Sequence, residues 1–180
     1  MSAMEQTSDR LTHLSRRYLT EHSLDSPIEL SQVLALIPRL SANALRARSA
    51  VLRLADEETG IHDRVYRFDV SDGDTPAGAE ESVAELTRRE TVPILIPDLR
   101  DDPRYAPHAL ARLVSALAVP LLQRQALIGT LCVLDKIPSV PGEPAVFEER
   151  DVNLLATLGT EAGMVIENAQ LFRAAAQRAD

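Results

Sequence analysis

An α+β fold, an antiparallel sheet with helices packed on it, is predicted from three features of this 180-residue chain. Two apolar runs, Ser115–Leu122 and Leu127–Leu134, flank a polar turn at Gln123–Gln125 and read as a hairpin. Both runs are apolar on both faces, so the hairpin belongs in mid-sheet, covered on each side. Strand and helix patterns do not alternate strictly along the chain, which disfavours a doubly wound parallel sheet. Finally, a helical stripe runs from Phe147 almost to the last residue.

The elements follow in order. From about Ser8 to Glu21, Leu11, Leu14 and Tyr18 share one side of a helix with Arg10, Arg16 and Arg17 around the other, so residues 1–25 form an N-terminal helical segment suited to packing on a partner or covering the domain. Ser26-Pro27-Ile28-Glu29 is a helix start, with Ser26 as cap, Pro27 at the first helical position and Glu29 closing a capping box. Ile28, Val33, Ile37 and Leu40 continue it to about Leu45, and Pro38 is expected to kink it. Ala50–Ala55 reads as a strand and residues 56–60 as a turn. Ile61–Val70 reads as a second strand, with His62, Arg64, Tyr66, Phe68 and Val70 on one side. Ser71–Gly78 is a loop, and Glu80–Arg89 a short helix whose leading acids and trailing arginines complement its dipole.

Thr91–Ile96 is a strand whose Pro93 cannot donate a ladder bond, which places it at a sheet edge or puts the proline at its start. Pro97 to about Leu110 is a long polar connection, and Ala109–Leu113 is one helical turn leading into the hairpin. Gly129, inside the second hairpin strand, implies close approach by another backbone, a helix or a ligand. Ile137–Ala145, with three prolines and a glycine, is a loop. In the last helix, Leu155, Leu158, Ala162, Val165, Ala169, Phe172, Ala176 and Ala179 recur at spacings of three and four. Either this is one core helix, or it leaves the domain to pair with a copy of itself or feed a downstream module; the second reading is preferred.

Composition narrows the function. The formal net charge is −8 and the arginines are scattered among acids, so no basic footprint for nucleic acid exists. No run reaches the length of a membrane span, and Met1–Thr7 lacks a secretion-signal pattern, so no membrane association is expected and a cytoplasmic location is the default. Aromatic residues make up 3% with no Trp, so the core is aliphatic and stacking platforms are scarce. The single cysteine, Cys132, excludes an internal disulfide and reads as a small buried hydrophobe. His13, His22, His62 and His108 show no metal-ligand spacing, and there is no Gly-rich phosphate loop and no nucleophile elbow. An enzyme is not expected. Phe147 and Asp151 lie one helical turn apart, and a Lys136–Asp151 pair would tie the last strand to the last helix. As a surface pair it would be worth only ~0–1 kcal/mol and would serve to set register.

Val119-Pro120-Leu121, the turn, Ile128 through Asp135-Lys136, a variable loop, Phe147, and a helix ending Glu167-Asn168-Ala169-Gln170-Leu171-Phe172 together resemble the second half of a GAF domain. Pro97–Tyr105 is similar to the loop that precedes that half. The resemblance spans residues 26–172 and leaves 173–180 as the start of a signalling-helix linker. It implies the profilin-like fold shared with PAS domains: a six-stranded antiparallel sheet, terminal helices on one face and a small-molecule pocket on the other. It also implies a regulatory role upstream of an output such as a histidine kinase or diguanylate cyclase, and a homodimer through the terminal helices.

Asp135-Lys136…Phe147-x-x-x-Asp151 is similar to the Asn-Lys-Phe-Asp-Glu motif of cyclic-nucleotide-binding members, with Asp135 replacing Asn and Val152 replacing Glu. Those departures do not support cyclic-nucleotide binding but leave the structural tie intact. Covalent bilin attachment is not expected, because the Cys-His dipeptide of bilin-binding members is missing. Free methionine sulfoxide reductases of this fold need more than one cysteine, so that activity is not expected either. Haem would need a histidine such as His62 or His108, and the cofactor stays open. For a small-molecule pocket the candidates are Phe68 and Leu117 as apolar wall, with Tyr66, Asp98, Tyr105 and His108 as polar orienting groups. Tyr66 and Phe68 can equally be core, and Asp98 can cap the following turn. The alternative to a sensor is a ligand-free dimerisation or spacer module, which the aliphatic core favours.

Overall fold

A computed structural model describes residues 27–55, 64–70, 78–103 and 114–179. The N-terminal segment expected at 1–25, the Ser26 cap and the helical turn expected at 109–113 lie outside the described residues. In chain order the elements are α1 (Pro27–Leu45), β1 (Ala47–Leu54), β2 (Arg64–Asp69), α2 (Ala79–Glu90), β3 (Ile94–Ile96), β4 (Ala116–Gln123), β5 (Ala126–Lys136) and α3 (Glu149–Ala179). The sheet runs β2-β1-β5-β4-β3 with every neighbouring pair antiparallel. Five strands are present among the described residues, against the six that the family resemblance implied.

The hairpin β4–β5 sits inside the sheet, with β5 at its centre. Its turn is two residues long rather than three: Gln123 already pairs with Ala126, and Arg124 and Gln125 both take positive φ, 49° and 67°. Such a turn matches the right-handed twist of the strands. β3 is an edge strand and begins just after Pro93, so that proline interrupts no ladder. β1 starts at Ala47, earlier than its weak alternation suggested, because Arg46 adopts a left-handed conformation (φ 53°) that turns α1 directly into the strand.

Alternation splits the sheet into two faces. Leu52 and Leu54 of β1, Leu117, Val119 and Leu121 of β4, and Leu131 and Val133 of β5 point to one face, where α1 and α3 pack together over them. Helix α1 contributes Leu34, Ile37 and Leu45, and α3 contributes Leu155, Leu158, Ala162, Ile166 and Ala169. The α3 stripe therefore passes through Ile166, with Val165 only half-buried. Gly159 makes the close seat possible: a Cβ there would lie 3.1 and 3.2 Å from Leu121 and Val119, whereas one at Gly163 would sit at ordinary contact distance, 3.4 Å from the Leu122 carbonyl oxygen. On the opposite face, Ala116 and Ala118 of β4 and Cys132 and Leu134 of β5 floor a second core under Val83 and Leu86 of α2. The floor residues are mostly small, which lets α2 lie over β4, β5 and β3.

Gly129 is the tightest point of the sheet. A Cβ there would collide with the backbone carbonyl oxygen of Arg53 on β1. Of the three possibilities its position raised, the close neighbour is another strand.

Candidate functional site

The polar chemistry of the domain collects on the α2 side of the sheet, toward β1 and β2. Val51 faces Cys132 across the β1–β5 pairing, so Arg53, two residues further on, shares that face with its partner Thr130. Arg67 of β2, paired with Val51, lies on it as well. Facing them from the first turn of α2 is Glu80, whose carboxylate also suits the positive end of the helix dipole. Arg53 Nε donates to Glu80 Oε1 at 2.7 Å and Arg53 Nη2 to Oε2 at 2.9 Å, a two-pronged pairing. Arg67 Nη2 adds a third bond to Oε2 at 3.1 Å. Glu80 is 5% exposed and Arg53 13%, whereas Arg67 is 53% exposed. The hydrogen-bonded Glu80 carboxylate raises the Arg53 pKa further, against the opposing effect of burial, so Arg53 stays ionised. Beside Arg53, the Thr130 hydroxyl is buried with no hydrogen-bond partner.

Cys132 lies on the same face and is fully buried. Burial, and then the Glu80 charge, push its thiol well above the ordinary range. A thiol so protonated and enclosed is a poor nucleophile.

At the far end of β5 a second constellation joins strand to helix. Lys136 Nζ donates to Asp151 Oδ1 at 2.8 Å and lies 5.3 Å from the Phe147 ring centroid. Asp151 Oδ2 accepts from the Glu148 backbone N–H at 2.9 Å, at the start of α3. The pair is not a surface one, as the sequence had suggested: Lys136 is 14% and Asp151 7% exposed. Asp135, next in line, has φ 63° and a buried carboxylate paired with Arg48 Nε at 3.2 Å. Asn and Asp are the side chains that best tolerate this left-handed conformation, which explains why Asp135 replaces Asn without disturbing the tie.

Of the six residues expected to line one pocket, Tyr66, Phe68, Asp98 and Leu117 are described. Tyr66 and Phe68 pair with Leu52 and Ala50 and pack, half-buried, against the core under α1 and α3. Leu117 is fully buried in that same core. The two-residue period that put Tyr66 and Phe68 together on one side is obeyed, but that side is the helix-roofed one. Asp98 stands apart, after β3, where it lines an open cleft of about 540 Å³ with Leu95, Ile96, Asp101 and Pro103. Arg100 grips its carboxylate through Nη2 at 2.6 Å and Nε at 3.0 Å and holds it below the usual range. Tyr105 and His108 lie outside the described residues, as does His62. Among the described residues no group of three or more His, Cys, Asp or Glu is arranged to hold a metal ion.

Arg53, Arg67, Glu80 and Thr130 escaped the sequence reading. The signal was present: an arginine between Leu52 and Leu54 in an apolar strand needs an acidic partner brought from elsewhere.

The family model described as GAF domain matches residues 28–167. The chain belongs to the GAF domain family. Among solved structures, it is similar to the GAF domain from a phosphoenolpyruvate-protein phosphotransferase of Coxiella burnetii, with 18% identity, coverage of 97% of this chain and 99% of that one, and a TM-score of 0.60. It is also similar to the free methionine-R-sulfoxide reductase of Neisseria meningitidis, solved with its substrate, at 16% identity, 94% and 89% coverage, and a TM-score of 0.64. A GAF domain/HD domain protein of Geobacter sulfurreducens matches at 18% identity over 79% of this chain and 94% of that one, with a TM-score of 0.53. These likenesses establish the shared α+β fold. No curated protein matches the sequence.

Proposed function

We propose that this GAF domain is a cytoplasmic sensory module of bacterial signal transduction. It binds a small molecule on the sheet face opposite α1 and α3 and relays occupancy through α3 to an output domain such as a histidine kinase or diguanylate cyclase. The observation that carries this reading is the unequal covering of the two faces. One is roofed by two helices over an aliphatic core. The other, at its β1–β2 end, carries a buried carboxylate, two arginines and an orphaned hydroxyl.

Helix α3 suits the relay. Its 31 residues span roughly 46 Å at the usual rise, while its described buried positions end at Ala169. Met164 and Leu171, seven residues apart and each 54% exposed, give it an apolar stripe for a second copy. The domain itself is read as non-catalytic, since its one thiol is enclosed. No described helix is long and apolar enough to cross a membrane.

The test is a thermal-shift screen of small metabolites, followed by hydrogen exchange along α3 with each hit. A selective ligand must raise the melting temperature and change exchange in α3. If no compound shifts the melting curve while the protein is a dimer, the ligand-free spacer reading replaces this one.

A further inference from the structure

We infer that the group this domain recognises is a small organic carboxylate, bound by Arg67 and Arg53 above Thr130; this rests on the sensory reading of the same face. Three observations converge. First, Arg53 and Arg67 converge on Glu80, Arg53 nearly buried and Arg67 half exposed, so guanidinium donors gather at one point of the sheet face. Second, among the described residues Arg67 bonds Glu80 through Nη2 alone and stays half exposed, so its guanidinium has donors to offer a second acid group. Third, the Thr130 hydroxyl is buried beside Arg53 with no partner. An orphaned hydroxyl destabilises the fold, and a stability-driven sequence would carry Val there. Its presence is accounted for if a bound oxygen completes it.

The chemistry selects a monocarboxylate over a phosphate. The cluster already holds a carboxylate in two-pronged geometry through Arg53. A phosphate dianion would meet Glu80 and the neighbouring Glu81, whose charge also reaches Arg53, within a chain of net charge −8. Among the described residues, α2 packs mainly over β4 and β5, and Arg67 stays half exposed and approachable.

The experiment uses the intact chain with a panel of pyruvate, lactate, glycine and alanine, their amides, and inorganic phosphate. Thermal shift and calorimetry are run on the wild type, Arg67→Gln and Thr130→Val. At least one carboxylate is expected to bind while its amide and phosphate do not. Arg67→Gln should weaken that binding by about tenfold or more, the loss of a charged hydrogen bond. Thr130→Val should weaken binding too, yet leave the ligand-free protein at least as stable as the wild type. Phosphate binding, amides equal to acids, or carboxylate binding indifferent to both variants would each overturn the inference. If no panel member binds but the broader screen finds a neutral or cationic ligand, the carboxylate assignment fails and the sensory reading stands. If nothing binds at all, both fail.

Discussion

Cys132 carries a pH dependence whose sign can be worked out. Its folded pKa is raised by burial, so the native state keeps a proton that the unfolded chain gives up above about pH 8.5. The stabilisation is complete below that value and is lost as pH rises beyond it. Urea melts of the wild type and Cys132→Ala at pH 7.5 and 10 should show the wild type losing more between the two. The thiol should also react with a disulfide reagent only after unfolding. Lys136 gives the second prediction. Removing its charge in Lys136→Met strands the Asp151 carboxylate, so the cost is about 3–5 kcal/mol rather than that of a surface pair. Combining it with Asp151→Leu should recover part of the loss, as chemical denaturation of the double variant would show. The residues of this tie could be read from their order in the sequence, but their burial could not. Phe147 and the start of α3, which meet Lys136 across the intervening loop, are contacts to which local pattern is blind.

Among the elements, the hairpin was the most legible, because two runs apolar on both faces have few places to go but mid-sheet. The end of α1 at Leu45 was equally plain from helical spacing, while Pro93 left open an edge strand or a strand start, and β3 is an edge strand that starts just after it. Stripe positions on α3 were less so. Val165 and Ile166 are both apolar, and only the placement of the helix on β4 decides that Ile166 turns inward. Two glycines separate the reasons a strand or helix tolerates one. Gly129→Ala drives a methyl into the Arg53 carbonyl oxygen of a central strand and should destabilise by about 3 kcal/mol, the upper end for overpacking. Gly163→Ala meets only ordinary contact distance, so the helix propensity gained, up to about 1 kcal/mol, should make it neutral or stabilising. Parallel thermal melts of the two variants check the contrast in sign.

Taken as one object, the domain has a dry roofed side and a polar side, and the sequence disclosed the first far better than the second. Aliphatic periodicity is a local signal. The meeting of Arg53, Arg67 and Glu80 joins β1, β2 and α2, and nothing in the spacing of those residues announces it. Alternation correctly grouped Tyr66 with Phe68 but could not say which helices would cover them. The proposed self-association belongs to the whole molecule as well. The double variant Met164→Glu, Leu171→Glu should convert a dimer to a monomer in light scattering without lowering the melting temperature of the protomer, because both side chains are exposed. The glycine seat under α3 then limits how such a dimer can move. A slide of one turn along the axis would set Leu155 or Glu167 where Gly159 or Gly163 now meets β4. In the proposed dimer a piston stroke would thereby be resisted, and the rod would swing about a fulcrum near its middle, with its outer tip sweeping the widest arc.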